Sequence, residues 1–112
     1  MRDWDEALAF ALALPGVELG RHYGMDAAKI SANGRAFLSP GNEAATSFCL
    51  QLDIDTVALL MATDPDTYFQ TPHYAGYGAV LVRYRSADSE RVRATIIRAR
   101  DQAAAKRPAR KR

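Results

Sequence analysis

The sequence predicts a two-layer α+β domain, an antiparallel sheet of about five strands with helices packed on one face. Helical apolar spacing appears at the start, near the middle and towards the end of the chain. Short strand-like runs separated by Gly and Pro turns fill the stretch after the first helix. No strand–helix–strand alternation of the kind that builds a parallel sheet is present, so the order is helix, four strands, helix, strand, helix.

Asp3 and Glu6 form a possible capping box, and Trp4, Leu8, Ala11 and Leu12 follow at helical spacing. Pro15-Gly16 stops this helix at Leu14, because the residue before a proline is disfavoured as α. Strand-like runs come next at 17–23, 27–32, 35–39 and 45–52, and Asn33-Gly34 supplies a hairpin signal, since both residues tolerate positive φ. In the fourth run Thr46, Phe48, Leu50 and Leu52 point to the core, and Ser47, Cys49 and Gln51 form a polar or half-exposed face. Asp53 caps a second helix with Ile54, Val57, Ala58 and Met61 inward, ended by Thr63-Asp64-Pro65. After a loop, residues 79–85 alternate as the last strand. Ser86, Asp88 or Ser89 then caps a third helix whose stripe is Val92, Ile96, Ala99 and Ala103.

The 112 residues suit one domain, expected over 1–105, with a basic, disordered tail over 106–112. The net charge of +2 is an average over unlike parts. Residues 1–90 carry 6 basic and 12 acidic groups, whereas residues 91–112 carry 9 basic and 1 acidic. No apolar run approaches the ~18 residues that cross a bilayer, so no membrane contact is expected. A single cysteine, Cys49, and the absence of an export signal point to the cytoplasm. One Cys with two His, and no C-x-x-C or H-E-x-x-H spacing, argue against a metal site. Phosphate-cradling glycine loops and the G-x-S-x-G elbow are also missing, so neither a cofactor nor a catalytic residue is expected.

Three stretches occur in a telling order: Ala13-Leu14-Pro15-Gly16-Val17-Glu18, then His22-Tyr23-Gly24, then Asp64-Pro65-Asp66-Thr67-Tyr68-Phe69. The last runs into Thr71-Pro72-His73-Tyr74 and Gly76-Tyr77-Gly78 before the final strand. In this the chain resembles the MmcQ/YjbR family, small bacterial proteins classed as DNA-binding on a proposed double-wing arrangement. The resemblance spans about Asp3 to Ala105 and implies a frataxin-type α+β fold and a non-enzymatic role. It differs in having Tyr74 and Tyr77 where the family often has a tryptophan-containing step, and in the basic ending Lys106-Arg107-Pro108-Ala109-Arg110-Lys111-Arg112.

Two functions of different class follow. In the first, a monomer contacts DNA phosphates through Arg83 and Arg85 of the last strand, Arg91, Arg98 and Arg100 of the third helix, and Lys106 and Arg107 of the tail. On that reading the wet sheet face, with Ser47, Cys49, Gln51, Lys29 and Ser31, lies beside the arginines. In the second, the His/Tyr-rich loops hold a small ligand or a protein partner through His22, Tyr23, His73, Tyr74 and Tyr77, with Tyr68 and Phe69 in the same aromatic set. Cys49, as a half-buried strand residue, is expected to be inert.

Overall fold

The computed structural model describes residues 1–108. Asp3 starts α1 (Trp4–Leu12) by accepting a hydrogen bond from the Glu6 amide at 3.0 Å. Glu6 in turn accepts from the Arg2 amide at 3.0 Å and pairs with the Arg2 guanidinium; these contacts hold its carboxyl below the usual carboxylate range. The helix closes two residues before the expected Leu14, on an α-region cap at Ala13. Its buried residues are Ala7 and Ala11, small side chains that let the backbone approach the sheet, while Trp4, Leu8, Phe10 and Leu14 pack half-buried around them.

Six strands form one sheet in the order β1-β2-β3-β4-β6-β5, and every neighbouring pair is antiparallel. They are β1 (Val17–His22), β2 (Met25–Ile30), β3 (Ala36–Ser39), β4 (Ser47–Gln51), β5 (Tyr68–Phe69) and β6 (Ala79–Arg83). The strand beyond the expected five is β5. Two residues carry no readable alternation, and only pairing with Val82 and Leu81 makes them a strand. Between β2 and β3 the register moves from Ala28↔Leu38 to Lys29↔Ala36, so Phe37 is an extra residue, and both Phe37 and Leu38 join the helix-side core.

Helices α2 (Ile54–Thr63) and α3 (Ser89–Ala104) cover the same face as α1. Asp53 caps α2 as expected, accepting from the Thr56 amide at 2.8 Å. The inward stripe of α2, however, is Thr56, Val57 and Leu60, and Ile54 stands 60% exposed. The helix is rotated about one residue from the apolar reading because Leu60 reaches the core better than Ala58. In α3 the expected residues Val92, Ile96, Ala99 and Ala103 are all buried, joined by Thr95, and the cap is Asp88. Between these helices and the sheet lie Ala28, Ile30, Phe37, Leu38, Phe48, Leu50, Val80, Val82 and Tyr84.

The other face is not the wet surface expected for Ser47 and Cys49, which are 0% and 2% exposed. The β3–β4 and β5–β6 loops fold over it and make a second, smaller core of Cys49, Ala79 and Leu81 with Phe69 and Tyr74. Gly41 (φ 73) lies in the first loop, where an added Cβ would meet Leu81 Cδ2 at 2.9 Å. Gly78 ends the second, where a Cβ would stand 2.5 Å from the Leu52 carbonyl oxygen.

Asn33 acts differently from the expected hairpin residue. The β2–β3 turn spans four residues, closed by Ile30 and Arg35, and the Asn33 amide donates to the Ala103 and Lys106 carbonyls at 2.8 and 3.1 Å. Arg35 Nε adds a hydrogen bond to the Arg107 carbonyl at 2.7 Å. The turn thus supplies donors to the carbonyls that the end of α3 leaves open, and the first residues of the expected tail, Lys106 and Arg107, are engaged by it. Of the remainder, Arg110, Lys111 and Arg112 lie outside the described residues.

Because the Gly78 contact is with backbone, Gly78→Ala is expected to lose about 1–3 kcal/mol in urea unfolding. Gly20→Ala meets only the flexible Lys29 stem and is expected to lose less.

Candidate functional site

The covered face of the sheet leaves a groove of about 760 Å³ between its two loops and the β1–β2 hairpin. Strand alternation sets the floor: Ser39, Cys49, Gln51 and Ala79 all point away from the helices. Gly41 and Asn42 of the β3–β4 loop form one wall. The hairpin brings His22, Tyr23 and Met25, and the β5–β6 loop brings His73, Tyr74 and Tyr77. All five residues of the ligand reading therefore share one groove, although the two groups lie far apart in sequence. Tyr68 and Phe69 do not belong to it. Tyr68 is 1% exposed on the helix side, with its hydroxyl 2.9 Å from Thr95 Oγ1, and Phe69 lies under the Arg83 guanidinium.

Local bonding fixes the β5–β6 loop. Gln70 donates its amide to the Tyr74, Tyr77 and Ala79 carbonyls at 3.1, 3.3 and 2.8 Å, and Tyr74 and Tyr77 close successive turns onto Thr71 and Tyr74. Tyr74 packs inward on the Cys49 cluster while Tyr77, 68% exposed, stays at the mouth. His73 meets the Tyr74 ring edge to face at 4.9 Å.

The opposite rim is the two-residue turn between His22 and Met25. Tyr23 (φ 52) and Gly24 (φ 79) both take positive φ, the requirement of a type I′ hairpin turn. Asn, Asp or Gly normally occupies the first of these positions, and a bulky side chain there costs on the order of 1 kcal/mol. Tyr23 is the one non-glycine residue with positive φ among those described, and it is 89% exposed. Its ring lies 4.4 Å from His22, edge on. From the other side Arg21 pairs with Asp26 at 3.2 Å and donates to the Gly24 carbonyl, which holds the tip.

The groove is apolar and aromatic with a few polar groups, and no carboxylate lines it. Burial, and next the Lys29 charge, hold the His22 imidazole below its ordinary value, so it is neutral at pH ~7. Burial pushes the Cys49 thiol up to about 11, against smaller opposing effects of hydrogen bonds with Ser39 and Tyr74. A thiol held protonated in this way is a poor nucleophile. Among the described residues no three His, Cys, Asp or Glu side chains gather to hold a metal ion, and no helix is long and apolar enough to cross a membrane.

The arginines of the phosphate reading do not meet on one surface. Arg83 stacks 3.9 Å over Phe69 and donates to the Asp66 carbonyl at 3.0 Å, so it fastens the β5 edge. Arg85 is exposed just beyond β6. Arg91 and Arg98, two turns apart, flank α3 on the α2 side: Arg91 donates to Thr63 Oγ1 at 2.6 Å, and Arg98 adds its charge to the Thr56 hydrogen bonds that hold the Asp53 carboxyl low. Arg100 lies on the other flank, bonded to the Pro15 carbonyl at 3.0 Å and to Asp101 at 2.8 Å. Lys106 and Arg107 sit at the far end of α3 beside the β2–β3 turn. None of the seven lines the groove.

Met25, Ser39, Gly41, Asn42, Gln51 and Ala79 are groove residues that sequence reasoning did not assign. The outward half of the β4 alternation carried a usable signal for Gln51 and Cys49; nothing local marks Ser39 or Asn42. Comparison with models of known protein families, with curated proteins and with solved structures returns no match.

Because the folded state resists protonation of His22, its contribution is complete above the unfolded value of about 6.5 and is lost as pH falls below it. His22→Gln is therefore expected to lessen the loss of stability between pH ~7 and ~5, as read by urea midpoints at each pH. Cys49 is expected to resist iodoacetamide in the folded protein at pH ~7.5 and to react fully in denaturant, as counted by intact mass.

Proposed function

We propose that the protein is a binding module, not an enzyme, that takes a small planar ligand in the groove between the β1–β2 hairpin and the β5–β6 loop. One observation carries this reading: His22 and Tyr23, and His73, Tyr74 and Tyr77, arrive from separate segments to line one cavity of about 760 Å³. That volume lies within the usual range of ligand pockets. Rings needed only to pin a loop would be buried, as Tyr74 is in part. Tyr23 and Tyr77 instead keep their faces in solvent, where contact with a flat ligand removes apolar area from water. The protonated thiol of Cys49 gives the site no nucleophile.

The phosphate-contact reading draws on the +8 charge of residues 91–112, but its arginines are divided between opposite flanks of α3 and the β5 edge. The two readings separate by salt and by mutation. Amide-proton NMR with a library of planar fragments is expected to give shifts confined to the groove, retained at ~0.5 M salt. His73→Ala and Tyr77→Ala are each expected to weaken the best fragment about tenfold, and Arg85→Glu and Arg98→Glu to leave it unchanged. Binding of a 20-bp duplex that collapses with salt and disappears in the two arginine variants, while His73→Ala and Tyr77→Ala keep it, overturns the groove reading.

A further inference from the structure

The shape of the groove leaves the ligand open, but the Tyr23 turn and the chemistry of the walls narrow it. Tyr23 occupies a backbone conformation that suits Asn or Gly, and its ring recovers little by burial, because it is 89% exposed and touches only the edge of His22 among aromatic rings. A side chain that is unfavourable for its turn and unburied does nothing for the fold that Asn would not do better. What it adds is a flat face at the groove mouth, held by the Arg21 contacts to Asp26 and Gly24. The facing rim presents Tyr77, 68% exposed, next to Gly76, whose position has open space around it. Gln51 on the floor and Asn42 on the exposed β3–β4 wall offer side-chain amides, each a paired donor and acceptor, and Ser39 on the floor offers a hydroxyl. The Gln70 amide, by contrast, is used up on the loop carbonyls. With no carboxylate in the lining, a cationic ligand finds no counter-charge.

Building on the groove reading, we infer that Tyr23 is a stacking platform and that the groove takes a nucleobase-type heterocycle, stacked at the mouth by Tyr23 and Tyr77 with its polar edge towards the Asn42 and Gln51 amides. Aromatic faces stack on any base, and a carboxamide matches a ring edge that presents a neighbouring donor and acceptor. The same ring is available from a free mononucleotide or from an unpaired base of a single strand.

Calorimetric titration of the full chain with adenosine, guanosine and uridine 5′-monophosphates tests this, with ribose 5-phosphate as the ringless control and a ten-residue deoxyadenosine oligomer as the single-strand source. At least one mononucleotide is expected to bind about tenfold or more tightly than ribose 5-phosphate. Tyr23→Asn is expected to raise the thermal midpoint by about 4 °C and to weaken that nucleotide about tenfold. Tyr23→Phe is expected to keep both the affinity and the lower midpoint. Similar per-base affinity of oligomer and mononucleotide assigns the site to unpaired bases; weaker oligomer binding assigns it to free nucleotides. The inference is overturned if no mononucleotide binds, if ribose 5-phosphate binds as well, or if Tyr23→Asn stabilises the fold without loss of affinity. If in that event a planar fragment still depends on His73 and Tyr77, the groove reading survives alone; if none does, both fall.

Discussion

The ladder between β4 and β6 is the constraint on which the rest of the molecule depends. Five cross-strand pairs run from Ser47↔Arg83 to Gln51↔Ala79, joining segments separated by a helix, a short edge strand and a loop. Their alternation sends Phe48, Leu50, Val80 and Val82 to the helices and Cys49, Gln51, Ala79 and Leu81 to the opposite face. A slip of one residue would exchange the two sets, putting a thiol and an amide under α3 and the valines into the groove. The close approach of Gly78 to the Leu52 carbonyl, with the Leu52 amide bonded to the Gly78 carbonyl at 3.0 Å, sets the end of the ladder and with it the register. The groove floor is thus a by-product of the same pairing that builds the main core.

The five tyrosines illustrate how the fold sorts one residue type by environment. Tyr68 and Tyr84 are enclosed and satisfy their hydroxyls on Thr95 and the Ala44 carbonyl; burial, then the charges of Asp3 and Asp5, push the Tyr84 hydroxyl up to about 12. Tyr74 is intermediate, with its ring on the Cys49 cluster and its hydroxyl raised chiefly by burial. Tyr23 and Tyr77 are left outside, both on the groove rim. A buried tyrosine with a bonded hydroxyl serves packing. The two that serve none, Tyr23 and Tyr77, stand on opposite rims of the same groove.

The sequence displays the fold class because period-2 and period-3.6 patterns are local, and local patterns survive in β4, β6 and α3. It conceals β5, because two residues have no period, and it misplaces the face of α2, because apolar residues run all round that helix, with Ala58 and Leu60 on opposite sides, and the spacing does not single out the buried one. The groove is legible only in part. Histidines and tyrosines stand out as loop residues, yet nothing local says that the loops at 22–25 and 70–78 converge; that depends on a six-strand order in which β6 inserts beside β4. The opposite error attends the arginines. Their nearness along the chain suggests a patch, but seven-residue spacing within each of two pairs, Arg91/Arg98 and Arg93/Arg100, divides them between two sides of one helix. Charge segregation along a sequence is therefore not charge segregation in space.

The Asn33 contact has a consequence for the order of events during synthesis. Its amide reaches carbonyls 70 and 73 positions further along, at the end of α3. The β2–β3 turn can form early from its own residues, and α1 is already present to pack on β2 and β4, yet two donors of the turn, Asn33 Nδ2 and Arg35 Nε, stay unmatched until α3 and the residues just after it have been made. Until α3 docks, the part of β3 and β4 that it packs on stays open, and partly covered intermediates of this kind are prone to association. The amide of Asn33 is thus a clasp that couples the first half of the sheet to the end of α3.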